Sequence, residues 1–200
     1  MSYNKTKCDP ELGQQVHEYL VKMGVETPTL PNTLDRKDKI DRIEEHFTVI
    51  MQYLGLDLTD DSLIETPKRV AKMYIEEIFN GLNPANEPKV ALFENKYGYK
   101  EMLIEKNISF YSNCEHHFVP IMGKTHIAYI SSGQVIGLSK LNRIVQYYAK
   151  RPQVQERLTM QIAKHLQKVL KTDHVAIFID AKHLNHKCRF ISVYFFLETC

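Results

Sequence analysis

Cys114-Glu115-His116-His117 gathers a thiol, a carboxyl and two imidazoles within four consecutive residues. A thiolate and an imidazole three positions apart can both reach one tetrahedral Zn2+, and with only three protein ligands the fourth position stays open for water. A buried free cysteine beside two surface histidines is the plainer reading of the same spacing, and only the local density of ligating types tips the balance toward metal. Lys140 and Arg143 fall three residues apart in Gly137-Leu138-Ser139-Lys140-Leu141-Asn142-Arg143, on one side of a helix's first turn. Such a turn also exposes unpaired backbone N–H groups and can hold phosphates, although a solvated basic face is the ordinary alternative. Gln153, Gln155, Glu156 and Arg157 read as a polar helix start. A buried carboxylate there can accept the two N–H donors of a guanine-type ring edge. His183 follows a strand, where a half-exposed turn histidine is the commoner case. Arg69 taken alone is a surface or ion-pair residue. His17, His46, His126, His165, His174, Cys8 and Cys200 carry no partner pattern and are assigned structural roles.

The elements that must position these residues follow from periodicity. Residues 1–38 form an extension with a weak helical pattern through Leu12, Val16, Tyr19, Leu20 and Met23. From Lys39, apolar residues at Ile40, Ile43, Phe47, Ile50, Met51 and Leu54 make one helix face ending near Gly55. Thr66-Pro67 reads as an N-cap with proline at the first helical position, opening a helix through Val70, Met73, Tyr74 and Phe79 that stops at Gly81. After Pro88 the period changes: Met102, Ile104, Ile108 and Phe110 share a period-two face, and Ile121 to Ile130 and Val135 to Leu138 are β-prone runs around Ser131-Ser132-Gly133. Ser139 is the expected cap of a helix from Lys140 to about Tyr148. Pro152 is expected to head another carrying Val154, Leu158, Ile162, Leu166 and Val169. Val175 to Asp180 is a strand, and Ile191 to Leu197 a second that can pair with it. The class is α+β. Residues 39–200 are expected as one domain, helical over 39–88 and sheet-and-helix over 89–200.

Composition sets the outer bounds. Of 200 residues, 44% are apolar and 25% charged, which is ordinary globular usage and excludes disordered and fibrous classes. The balance of 26 Lys+Arg against 24 Asp+Glu is far from the basic excess of a nucleic-acid binder, so any anion site is local. The apolar runs at Val175 to Ile179 and Ile191 to Leu197 fall well short of the ~20 residues that cross a bilayer. Four scattered cysteines make no disulfide framework and no leader pattern opens the sequence, so a cytoplasmic protein is expected, with neither nucleic acid nor membrane as partner.

Several motifs in fixed order closely resemble the GTP cyclohydrolase I family. They are Tyr111-Ser112-Asn113-Cys114-Glu115-His116-His117, then Pro120 and Gly123, then Gly137 to Val145, then Arg151-Pro152-Gln153-Val154-Gln155-Glu156-Arg157-Leu158-Thr159, with the helix from Thr66 to Phe79 fitting as well. The resemblance covers about residues 40–184. It implies a tunnelling fold, an antiparallel sheet with two helices on one face and N-terminal helices outside, whose sheets join into a barrel. It also implies a ring-shaped homo-oligomer, a decamer of two pentamers, with sites between subunits. The activity implied is zinc-dependent hydrolysis of GTP to 7,8-dihydroneopterin triphosphate and formate, the first step of folate- or tetrahydrobiopterin-type pterin synthesis. By the same resemblance Cys114 and His117 hold zinc, and His116 and His183 move protons. Glu156, Gln155 and the Val154 backbone take the guanine edge, Leu138 and Ser139 line the pocket, and Lys140, Arg143, Arg69 and Arg189 take the triphosphate.

The sequence departs from the family near its end. The family's third zinc ligand is a cysteine two residues after the position of His183, and here that position is Asn185; His186 or Cys188 are the candidate substitutes. Phe190 replaces the family's glycine after the arginine, and the threonine-rich final strand is absent. Resemblance is expected to end at Leu184, with an altered reading frame or a truncation behind the apolar tail. Two other readings follow: a non-catalytic purine- or pterin-binding homologue or ring subunit with an impaired zinc site, and a metal-free nitrile reductase of the same fold, against which the Cys-x-x-His-His loop and the basic set argue.

Overall fold

A computed structural model of the chain describes residues 5–184 and 188–196. It divides into two compact units, one of residues 28–80 and the other of residues 5–27 with 81–196.

The first unit is helical. Helix α2 (Arg36–Tyr53) begins three residues ahead of the expected Lys39 because the Asp35 side chain caps it, accepting from Asp38 N at 2.8 Å. It ends as expected at Gly55, whose φ of 76° lets Gly55 N and Leu56 N bond back to the carbonyls of Gln52 and Met51. Helix α3 (Thr66–Met73) packs against α2. Thr66 is not its cap: Glu65 holds that position without a side-chain bond, and Thr66 already lies in the helix. Nor does α-helix continue to Gly81. The ladder widens into a π turn over Tyr74–Ile78, closed by Phe79 N on Tyr74 O at 3.1 Å.

The second unit carries the sheet. Helix α1 (Pro10–Lys22) is capped by Asp9 and buries Val16 and Leu20 in the core, so the weak pattern near the N-terminus is a packed helix. Strands β1 (Leu92–Glu94), β2 (Leu103–Cys114), β3 (Pro120–Tyr129) and β4 (Gln134–Ile136) lead into helix α4 (Leu138–Ala149). Strand β5 (Pro152–Gln153), helix α5 (Gln155–Leu170), and strands β6 (Val175–His183) and β7 (Cys188–Phe196) complete it. The five-stranded sheet has the order β5-β2-β3-β6-β7, antiparallel except where β5 runs parallel to β2; β1 and β4 pair separately. The tail strand expected to return beside Val175 to Asp180 does so, in unbroken register from His183↔Cys188 to Val175↔Phe196.

Three expectations change here for local reasons. Met102, Ile104, Ile108 and Phe110 do not share one face, because the β2–β3 register shifts between Glu105 and Ile108, with Asn107 at φ 64°. Ahead of this bulge Leu103 and Glu105 point inward and Ile104 outward; beyond it Ile108, Phe110, Ser112 and Cys114 are the buried set. Ser139 does not cap α4, whose cap position is Gly137. Pro152 does not head α5: lacking an N–H, it is tolerated in the two-residue edge strand β5, and the helix starts at Gln155.

Helices α4 and α5 cover one face of the sheet, burying Leu141, Ile144, Leu158, Ile162 and Leu166 against Ile108, Phe110, Ile121, Ile127, Ile177 and Ile179. Each such side chain contributes roughly 1.5–3 kcal/mol. Beside this apolar layer lies a buried polar cluster. Arg151, 3% exposed, pairs with Glu26 and stacks on the rings of Tyr147 and Tyr148, at 4.8 and 4.6 Å from their centroids. Tyr148 Oη lies 2.9 Å from His165 Nδ1, which is 3.4 Å from Glu87 Oε1.

Candidate active site at the ends of β2 and β6

The loop after β2 is a tight turn. Phe118 N donates to Cys114 O at 2.8 Å and Cys114 N to Val119 O at 2.9 Å, and Phe118 sits at φ 54° to close it. Asn113 Nδ2 donates to Phe118 O at 3.0 Å. The turn buries Cys114 to 5% exposure while leaving His116 and His117 exposed. Both Nδ1 atoms lie 3.8 Å from Cys114 Sγ. Cys114, His116 and His117 are thus brought together as the sequence predicts.

His183 ends β6 at the same end of the sheet. Its register partner on β3 is Ile121, and Ile121 pairs in turn with Ser112 of β2, so two strand spacings, roughly 10 Å, separate His183 from β2. The first turn of α5 bridges these strand ends. Arg157 reaches one way to an ion pair with Glu115, whose Oε1 is also 3.7 Å from His116 Nε2. Gln155 reaches the other way and is 2% exposed. Its Nε2 donates to Ile179 O at 3.1 Å and Phe190 O at 3.0 Å, and its Oε1 lies 3.1 Å from His183 Nε2. Phe190 packs edge-on to His183 with centroids 6.2 Å apart. Glu156 lies between these two contacts on the exposed side of the turn, and Val154 is its half-buried cap.

Other candidates lie elsewhere. Leu138, Ser139, Lys140 and Arg143 open α4, whereas its C-terminal end leads into β5 beside Asn113 and Cys114. Along α4, about 13 Å of helix separates Lys140, and about 9 Å Arg143, from the end that leads into β5. Arg69 is exposed on α3 in the helical unit. Arg189 is exposed on β7 and forms an ion pair with Asp180, which holds that carboxyl below its usual range. Asn185 and His186 fall outside the described residues, and so does the Cys188 side chain.

Among the described residues no three His, Cys, Asp or Glu side chains converge as a metal group. Two donors do fit. Zinc bonds of about 2.3 Å to sulfur and 2.0–2.1 Å to nitrogen, at a tetrahedral angle, hold S and N about 3.6 Å apart, close to the 3.8 Å between Cys114 Sγ and the Nδ1 of either His116 or His117.

Sequence reasoning passed over Glu115, Arg157 and Phe190 as partners of the two histidines. The signal available was slight: a carboxylate inside the Cys-His loop and an arginine one turn into the following helix.

Fold and site together define an α+β protein with a Cys-His turn and a second histidine held at one end of an antiparallel sheet. The family model for GTP cyclohydrolase I matches residues 43–193, running past Leu184, where resemblance was expected to stop. The chain is 65% identical over 148 residues to GTP cyclohydrolase 1 of Flavobacterium johnsoniae, covering 74% of this chain and 66% of that protein. It is 55% identical over 174 residues to that of Yersinia enterocolitica, covering 87% and 79%, and 52% identical over 179 residues to that of Vibrio vulnificus, covering 90% and 82%. The chain belongs to the GTP cyclohydrolase I family.

Proposed function

We propose that the protein opens the imidazole ring of GTP hydrolytically, releasing C8 as formate and yielding 7,8-dihydroneopterin triphosphate for pterin and folate synthesis. The observation that carries this reading is the bridged pair of strand ends, with Cys114, His116 and His117 on one side and His183 on the other, joined through the first turn of α5. Relatives at 52 to 65% identity that bear the name GTP cyclohydrolase 1 favour the enzyme over a non-catalytic homologue.

Cys114 and His117 would hold zinc, with His186 or Cys188 the candidate third ligand, since Asn185 stands at the family's cysteine position. Zinc when bound acidifies water from a pKa of 15.7 to about 7, which makes a nucleophile available at neutral pH. His116 and His183 move the protons that ring opening and formate loss require, a task suited to imidazoles near neutral pH. Glu156 accepts the guanine N–H donors, with Gln155 and the Val154 backbone completing the hold on that ring edge. Leu138 and Ser139 line the pocket, and Lys140, Arg143, Arg69 and Arg189 take the triphosphate. Lys140 and Arg143 open α4, whose other end leads into β5 beside Cys114, and a second copy would supply them to each site, as in a ring of paired pentamers. The nucleotide substrate makes the cytoplasm its compartment.

The test is turnover: zinc-supplemented protein incubated with GTP releases formate and a pterin that becomes fluorescent on oxidation. Zinc-loaded, folded protein that binds GTP and releases no formate overturns the reading.

A further inference from the structure

The Gln155 side chain is held at three points, and two of them fix its orientation. Ile179 O and Phe190 O are backbone carbonyls, which can only accept, so the amide nitrogen must face both of them. Turning the amide over would set its oxygen about 3 Å from two other oxygens in a site that is 2% exposed. The carbonyl oxygen is therefore the atom presented to His183, at 3.1 Å from its Nε2. An oxygen there accepts and does not donate, so the imidazole nitrogen must carry the hydrogen. The edge contact of Phe190 steadies the same ring.

We infer that Gln155 is a positioning residue that holds His183 with its Nε2 protonated, so that any proton His183 exchanges with a substrate passes at Nδ1. The identity of that substrate rests on the functional reading above; the tautomer does not. Each bond involved is anchored in regular structure: Gln155 in the first turn of α5, Ile179 and His183 in β6, Phe190 in β7. The imidazole therefore keeps one face of its chemistry fixed by the fold. The role also differs from the one expected for Gln155 by resemblance: its side chain serves the histidine, and its backbone N–H, in the first turn of a helix and so without an intrahelical partner, is the group left for a ligand.

The test reads the tautomer directly. Full-length protein labelled with 15N in its nine histidines is measured by magic-angle-spinning NMR at about pH 8.5, two units above the ordinary histidine pKa. The His183 signals are identified by their loss in His183→Asn. Protonated Nε2 and bare Nδ1 are expected; protonated Nδ1 with bare Nε2 overturns the inference. In Gln155→Met, which keeps the length and loses the amide, the His183 signals should move toward mixed tautomers, with kcat falling roughly ten- to hundredfold, the range typical of groups that orient a functional histidine. Unmoved signals in that variant overturn it as well. A wild-type protein with Nε2 protonated but no GTP turnover overturns the functional reading and leaves the assignment of Gln155 standing.

Discussion

Arg151 and Glu26, 125 residues apart in sequence, form an ion pair inside the sheet-bearing unit. Glu26 Oε1 also accepts from Thr27 N at 2.7 Å, and the guanidinium lies against two tyrosine rings. The pair fastens the segment after α1 to the turn between α4 and β5.

Arg151→Met should destabilise the protein by about 3–5 kcal/mol, because it strands a buried carboxylate. Adding Glu26→Gln to that variant should restore part of the loss. Urea denaturation of the two variants checks the sign, and equal losses in both would dismiss the ion pair as the cause.

Glu87 and His165 should shape the pH dependence of stability. Desolvation pushes Glu87 up to about 8, with Arg151 opposing, while burial and the Arg151 charge push His165 down to about 3. Between pH 3 and 4.5, of these two groups His165 alone binds more protons unfolded than folded, so its contribution makes stability rise with pH. From 4.5 to 6.5 the two slopes cancel. From 6.5 to 8 the unfolded chain has lost the Glu87 proton that the fold retains, so stability falls as pH rises. Glu87→Gln should abolish that alkaline fall, as read from denaturant midpoints at pH 6.5 and 8; an unchanged fall would assign it to other groups.

Gly123→Ala should strain the pairing of β3 with β6. A Cβ there would stand 2.5 Å from Asp180 O and 2.6 Å from Ala181 Cβ, and neither belongs to a flexible side-chain end. The expected cost is about 1–3 kcal/mol, measurable as a lowered thermal midpoint. A neutral effect would mean that the two strands part at little cost.

Two variants separate the parts of the proposed site. Glu156→Ala should abolish guanine-dependent binding while leaving the fold intact, since Glu156 is exposed and holds no core contact. Unchanged GTP affinity would remove Glu156 from the pocket. Asn185→Cys should raise zinc from a small fraction to about one per chain, the step from two protein ligands to three. No gain in metal analysis would mean that His186 or Cys188 already fills the place.

Much of this architecture is legible in the sequence where apolar spacing is strong, as in α2, α5 and the pairing of β6 with the tail. It fails where one residue decides. Asn107 turns the face of β2 without changing its composition, and Pro152 has the same chemistry at a helix start as in a two-residue edge strand. The Cys-His turn is visible because its ligating types are consecutive. Gln155 and Arg157 look like any polar helix opening, since burial and direction are set by which strand ends lie beneath them. The separation of Lys140 from Cys114 follows from the length of α4 and from what comes after it, which no motif records.

The first turn of α5 holds Gln155 on His183 and Arg157 on Glu115, and most of the helix behind it is buried. Those two strand ends are therefore not independent parts. A slide of that helix along its axis would load both contacts together, because one turn carries Gln155 and Arg157. The fold behaves there as a single lever with two fingers.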